Sequence, residues 1–172
     1  MSDTTVMSWQ KRAFGWSRDL LILAAMVWVV HWWQTKDMLS AAGDVQIPQL
    51  QLARLDGAGV DTLAPTAGKP TIVYFFAPWC SVCRMSINNL DYVDPNDANV
   101  YVIALDYAAT NEVQAFVDDV GLKLPVHMGY EQLKQMFQIR AYPSYFVLDE
   151  NFIVRDRTLG YSTALGLKAR SL

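Results

Sequence analysis

Two side chains of this protein are suited to thiol chemistry, Cys80 and Cys83, and they stand together in Trp79-Cys80-Ser81-Val82-Cys83. Thiols at that spacing close a small disulfide ring when the second lies one helical turn beyond the first. A disulfide around so short a loop removes little unfolded-chain entropy and makes a poor structural staple. Exchange suits it better, with Cys80 attacking and Cys83 resolving. Attack needs a thiolate, which the first N–H groups and the macrodipole of a helix stabilise. Cysteine pKa values at such places fall from ~8.5 to between ~3.5 and ~7.5. Cys80 should therefore sit where a strand gives way to a helix. Cys83, one turn deeper, should stay protonated and shielded until a mixed disulfide needs resolving. Trp79 would shield the sulfur on one side and offer partners an apolar surface.

The competing chemistries have weaker footing. A structural zinc site needs four ligands, and beside this pair the chain offers only His31 and His127, far apart, so no metal site is expected. A peroxidase would carry proline and threonine or serine upstream of its reactive cysteine, where Val73 and Ala77 stand. Met85 reads as core rather than ligand. An inert scaffold that binds peptides without reacting remains open, because fold does not imply function. No cofactor is called for.

Ala141-Tyr142-Pro143-Ser144 is the second suggestive element, just before a run that reads as a strand. Proline at a strand start cannot donate a ladder bond and often marks a special turn. X–Pro bonds are cis only ~5% of the time in folded proteins. With the cysteine pair present, a cis bond at Tyr142-Pro143 is the expectation, and Pro125 is the rival. Such a bond would free the Tyr142 backbone to pair with an extended chain beside Cys80. Trp79, Tyr142 and Pro143 are thus the expected substrate-binding residues.

The elements that must position these residues follow from periodicity. Gln49 to Leu55 and Val60 to Leu63 flank Asp56-Gly57-Ala58-Gly59 as an amphipathic hairpin. Ile72 to Phe76 is an apolar run, and Thr71 to Phe76 reads as a buried strand, followed by a helix from about Cys80 to Leu90. A second buried strand spans Asn99 to Leu105. A helix from Thr110 is stopped by Gly121, Leu124 to His127 is extended, and Tyr130 to Phe137 is a short amphipathic helix. Ser144 to Leu148 and Phe152 to Val154 form an edge hairpin, and Ser162 to Arg170 closes the chain as a helix. Alternation of this kind implies an α/β fold, a mixed central sheet with helices on both faces.

The chain of 172 residues, 52% hydrophobic, fits one such domain plus an appendage. Its formal charge of −3, with no basic stripe, argues against nucleic acid as a partner. Leu20 to Val30 is unbroken apolar sequence, prolonged by His31-Trp32-Trp33. Leu20 to Trp33 covers roughly 21 Å as a helix, short of a ~30 Å hydrocarbon core, but flanking residues can complete the span. Lys11, Arg12 and Arg18 precede it, so the positive-inside rule keeps the N-terminus in the cytoplasm. The division expected is a cytoplasmic segment (1–18), a transmembrane anchor (19–38), a linker (39–48) and the globular domain (49–172). A signal peptide cleaved near Ser40-Ala41-Ala42 and a buried soluble helix are the alternatives. In a bacterial cell the anchor would leave the domain in the periplasm, tethered to the inner membrane by a single pass.

The run from Gly68 through Phe76-Ala77-Pro78-Trp79-Cys80-Ser81-Val82-Cys83-Arg84 resembles the thioredoxin superfamily. With the anchor and the leading hairpin, residues Gln49 to Leu172 resemble the membrane-tethered TlpA-like thiol–disulfide oxidoreductases of bacteria. The tail Gly160 to Arg170 is similar to the anchored thioredoxin-like member of the suppressor-for-copper-sensitivity group. The resemblance implies a thioredoxin-like fold, Cys80 as nucleophile, Cys83 as resolving thiol and Pro143 as the cis-proline. It also implies partner proteins with thiols or disulfides, a reducing direction, and electrons from a membrane thiol transporter. Reduction of apocytochrome c is the alternative within the class. Two positions depart from the relatives: Tyr74 stands where thioredoxins keep a buried aspartate, and Ser86 where cytochrome c maturation members carry a glutamate. The group that moves the proton of the resolving cysteine is therefore unassigned by resemblance.

Overall fold

The computed structural model describes residues 16, 19–30, 32, 33, 36 and 38–170. The chain divides into two compact units, Met1–Asp37 and Met38–Leu172. In the first, residues 19–30 are helical and their side chains are exposed. Among the described residues no helix is long and apolar enough to cross a membrane. Lys11, Arg12 and Arg18, on which the expected orientation rests, lie outside the described residues, as do His31 and residues 34, 35 and 37 of the expected anchor.

The second unit contains strands β1 (Leu50–Arg54), β2 (Val60–Leu63), β3 (Thr71–Phe76), β4 (Asn99–Ala104), β5 (Val126–Met128), β6 (Ser144–Leu148) and β7 (Val154–Leu159). They form one sheet in the order β2-β1-β5-β4-β3-β6-β7. Its helices are α1 (Ser81–Ser86), α2 (Thr110–Val120), α3 (Glu131–Met136) and α4 (Ala164–Arg170), and a 3-10 turn (Ile87–Tyr92) prolongs α1. This is the mixed, thioredoxin-like α/β arrangement expected, with the hairpin β1–β2 joined to the sheet through β5.

β3 lies inside the sheet, between β4 and β6. All six of its residues are buried, as befits a strand covered on both faces. It pairs parallel with β4 and antiparallel with β6. Alternation sends Ile72, Tyr74 and Phe76 into the core beneath α1 and α2, and Val73 and Phe75 into the opposite core. There Phe75, Phe137 and Phe146 meet with ring centroids 4.8–6.0 Å apart.

Three local expectations are corrected. The helix after Cys80 does not run unbroken to Leu90. Ser86 turns its hydroxyl back onto the Val82 carbonyl at 3.0 Å, a local bond that competes with helix continuation, and the chain tightens into the 3-10 turn. β7 extends to Leu159 through Arg155, Asp156 and Arg157, charges that an edge strand accommodates. The stretch 39–48, expected as a linker, packs on the domain. Leu39 and Ile47 are buried, as is Met38 just before it, and Ile47 N–H bonds Phe152 O at 2.8 Å. Arg157 donates to the Met38 and Leu39 carbonyls, fastening this stretch to β7.

Candidate active site

Cys80 and Cys83 are joined as a disulfide with their Cα atoms 5.2 Å apart. The end of β3 delivers them, as the Cys80 N–H bonds the Ala77 carbonyl at 3.0 Å and turns the chain into α1. Cys80 is the N-cap of α1, and its sulfur accepts the Cys83 N–H at 3.1 Å. That donor, at a helix start, is suited to stabilising a thiolate on Cys80 once the bond opens. Both cysteines are buried, Cys80 with 6% of its surface exposed and Cys83 with none.

Trp79 is 67% exposed and stands beside the disulfide as an open aromatic surface. Its indole N–H donates to the Asp106 carbonyl at 3.0 Å, and its ring meets Tyr142 edge-on at 5.7 Å. The Tyr142-Pro143 peptide bond is cis, and Pro125 has no such bond. Pro143 is buried, and its carbonyl accepts the Gly160 N–H at 2.9 Å. Among the described residues the Tyr142 main chain makes no hydrogen bond. The Tyr142 hydroxyl is buried on the side of the Asp106 carboxylate. Burial first, then the nearby Asp106 carboxylate, push this phenol above its ordinary value.

Asp106 was legible only as the end of a strand, yet it organises this edge. Its backbone is left-handed, φ 50°, and its carboxylate accepts from Lys134 Nζ at 2.8 and 2.7 Å. Thus α3 holds the loop that holds Trp79. Next to it opens a cleft of about 680 Å3 lined by Pro78, Trp79, Arg84, Asp106, Phe116 and Asp119. Arg84 crosses that cleft, paired with Asp119 and stacked over Phe116 at 5.1 Å. Met85, expected in the core, is 67% exposed, because α1 buries only its Cys83 and Ser86 side.

Beneath the disulfide the two departures from the relatives meet. Tyr74 Oη lies 3.4 Å from Ser86 Oγ, and both residues are fully buried. Burial drives the Tyr74 phenol far above its ordinary value. His127, away from this site, is buried against the Asp61 carboxylate at 2.9 Å and the Val102 carbonyl. Among the described residues no group of His, Cys, Asp and Glu could hold a metal ion.

A thioredoxin-like sheet presenting a Cys-x-x-Cys disulfide at the end of an inner, fully buried strand defines a thiol–disulfide oxidoreductase. The family described as Redoxin matches residues 41–168, and the chain belongs to it. Among curated relatives, the thioredoxin-like protein YneN of Bacillus subtilis is 22% identical over 149 residues, 84% of this chain and 87% of that one. The thiol-disulfide oxidoreductase ResA of Oceanobacillus iheyensis is 25% identical over 127 residues, 72% of this chain and 65% of that one. Of solved structures, a thioredoxin-family thiol:disulfide interchange protein of Chlorobium tepidum superposes with a TM-score of 0.64 at 23% identity, covering 77% of this chain and 97% of that one. StoA of Bacillus subtilis superposes with a TM-score of 0.61 at 19% identity, covering 77% of this chain and 100% of that one. These superpositions show the fold.

Proposed function

We propose that this protein is a membrane-tethered, periplasm-facing oxidoreductase that reduces disulfides of partner proteins through Cys80 and Cys83. The observation that carries the reading is the asymmetry of the pair, an N-cap cysteine that keeps 6% of its surface exposed beside a helix start, backed by one that is fully buried. In the dithiol state the Cys80 thiolate attacks a partner disulfide. One partner sulfur leaves with the electron pair and takes up a proton, and a mixed disulfide remains. Cys83 then loses its proton and attacks Cys80 Sγ. The Cys80–Cys83 bond forms, and the second partner sulfur leaves and is protonated. The partner gains two electrons and two protons, and a membrane thiol transporter restores the dithiol.

Trp79 and the cleft beside it supply the apolar surface for the partner, and Tyr142 and Pro143 the backbone edge along which its cysteine-bearing segment lies. The apolar run Leu20 to Val30 supports the tether, and the tail Gly160 to Arg170 supports a place among anchored thioredoxin-like proteins of the suppressor-for-copper-sensitivity group. The test is to replace Cys83 with alanine, express the full chain and isolate membranes. Mixed disulfides on Cys80 that dissolve with dithiothreitol are the expected result. Soluble protein with no trapped partner would overturn both the tether and the exchange. Apocytochrome c as the trapped partner would narrow the reading to cytochrome maturation.

A further inference from the structure

Two aromatic walls from different parts of the chain stand beside the cysteine pair. Trp79 precedes Cys80 in the turn after β3, and Tyr142 precedes the cis Pro143 ahead of β6. Their rings meet edge-on at 5.7 Å with planes 82° apart. Tyr142 packs against both buried clusters of the sheet, one of which contains Cys80 and Cys83, so its side chain is anchored on both faces. Trp79 is 67% exposed, and a large side chain that open samples several rotamers unless a specific contact selects one.

Asp106 stands against both walls. The Leu105 N–H still bonds the Phe76 carbonyl at 2.8 Å, prolonging the pairing of β4 with β3, and at Asp106 the chain turns away with φ 50°. The left-handed turn brings the Asp106 carbonyl to the Trp79 indole N–H at 3.0 Å and its carboxylate to Lys134 on α3. The Tyr142 hydroxyl is buried on the side of that carboxylate, whose charge adds to burial in raising the phenol. The turn is held from its other side as well. The Gly129 N–H bonds the Ala104 carbonyl at 2.9 Å, the Tyr107 hydroxyl donates to the Gly129 carbonyl at 2.8 Å, and Gly129 lies too close to Ala104 and Leu105 to admit a Cβ. A wall held in advance costs an incoming chain less ordering entropy than one fixed only on binding.

We propose that Asp106 is a positioning residue: it braces Trp79 against Tyr142 and so pre-forms the slot that an extended, cysteine-bearing partner segment enters. Its effect falls on recognition of peptide disulfides and not on the chemistry of the cysteine pair. The inference rests on the exchange reading of Cys80 and Cys83.

The test compares two probes reduced by the dithiol form of the full chain. Hydroxyethyl disulfide has no peptide backbone, whereas a disulfide-linked dimer of a short extended peptide with a central cysteine does. In either case two electrons pass from the dithiol to the probe, which is released as two thiols while the Cys80–Cys83 disulfide forms. Acid-quenched samples read by mass give the half-saturating peptide concentration and the limiting rate. Alanine at 106 loses the Lys134 bridge and disfavours the left-handed turn that aims the carbonyl. Asp106→Ala should therefore raise the half-saturating concentration by roughly three- to tenfold, the cost of ordering one large side chain on binding. The limiting rate and the rate with hydroxyethyl disulfide should not change. Asp106→Asn keeps an acceptor and tolerates the backbone, so it should restore recognition to near wild type. Tyr142→Phe removes only the hydroxyl on the Asp106 side and should raise the concentration too, with little further rise when added to Asp106→Ala. An unchanged peptide concentration in both Asp106→Ala and Tyr142→Phe overturns the inference, as does an equal slowing of hydroxyethyl disulfide. A wild-type dithiol that reduces neither probe overturns the exchange reading, and the inference falls with it.

Discussion

Asp106 offers the sharpest separation of backbone and side-chain effects at this site. Its carboxylate bridges Lys134, and the two side chains are 31% and 28% exposed, respectively. Replacing it with asparagine removes the charge but keeps a residue tolerant of the left-handed backbone at φ 50°. The main-chain carbonyl that holds Trp79 is untouched. For a pair this exposed the loss is about 1 kcal/mol or less. Alanine loses the same pair and adds the left-handed penalty of an ordinary side chain, ~1–2 kcal/mol. Asp106→Ala should therefore be less stable than Asp106→Asn by about 1 kcal/mol. Urea unfolding followed by circular dichroism reads the difference, with unchanged m-values confirming that the same surface unfolds. A double-mutant cycle with Lys134→Met should return a coupling of roughly 0.2–1 kcal/mol. Equal losses for asparagine and alanine, or a coupling of zero, would refute the reading of Asp106 as a left-handed residue pinned by Lys134 whose carbonyl holds Trp79.

Phe137→Ala empties a three-ring contact in the core opposite the disulfide and should cost ~3–5 kcal/mol by calorimetry, while the glutathione equilibrium of the folded fraction stays unchanged. At Gly129 an added Cβ would approach Leu105 Cδ2 to 2.6 Å and the Ala104 carbonyl to 2.7 Å, so Gly129→Ala should lose about 1–3 kcal/mol in denaturant melts. The Arg54 hydrogen bond, more than the Ala58 N–H, holds the Asp56 carboxyl at about 2. A depressed folded value contributes stability above the unfolded pKa of ~3.9 and loses it as pH falls through the folded one. The stability gap between wild type and Asp56→Asn should accordingly close as pH drops from 4 toward 2, on the order of that window. Five of the six tryptophans precede Met38, so a fragment beginning there carries Trp79 alone, and its emission should change when the neighbouring disulfide is reduced.

Much of this architecture could be read from the chain because its signals are local. Six consecutive apolar residues before Pro78 admit only a strand covered on both sides, and a cysteine pair at helical spacing then falls at the helix start. The cis bond before Pro143 followed from a proline at a strand start together with that pair. What escaped is non-local or conformational. The clamp of Arg157 on Leu39 joins residues 118 apart in sequence, so 39–48 reads as a linker from the sequence. Asp106 acts through a positive φ and its main-chain carbonyl, neither written in residue type. Met85 has a core composition but lies on the open side of a helix whose buried side is only Cys83 and Ser86. Tyr74 and Ser86 were visible as departures from their relatives, but that they face each other emerges only from the packing of β3 against α1.

Titration of the Cys80–Cys83 pair in the full chain against glutathione tests the central claim most directly, with the dithiol fraction counted by alkylation. The expected result is one reversible two-electron transition, close to 29.6 mV per tenfold change in ratio at a potential nearer ~−270 than ~−120 mV, abolished by Cys80→Ser. A pair that stays fully oxidised or fully reduced across the range, or exchange that survives Cys80→Ser, would contradict it.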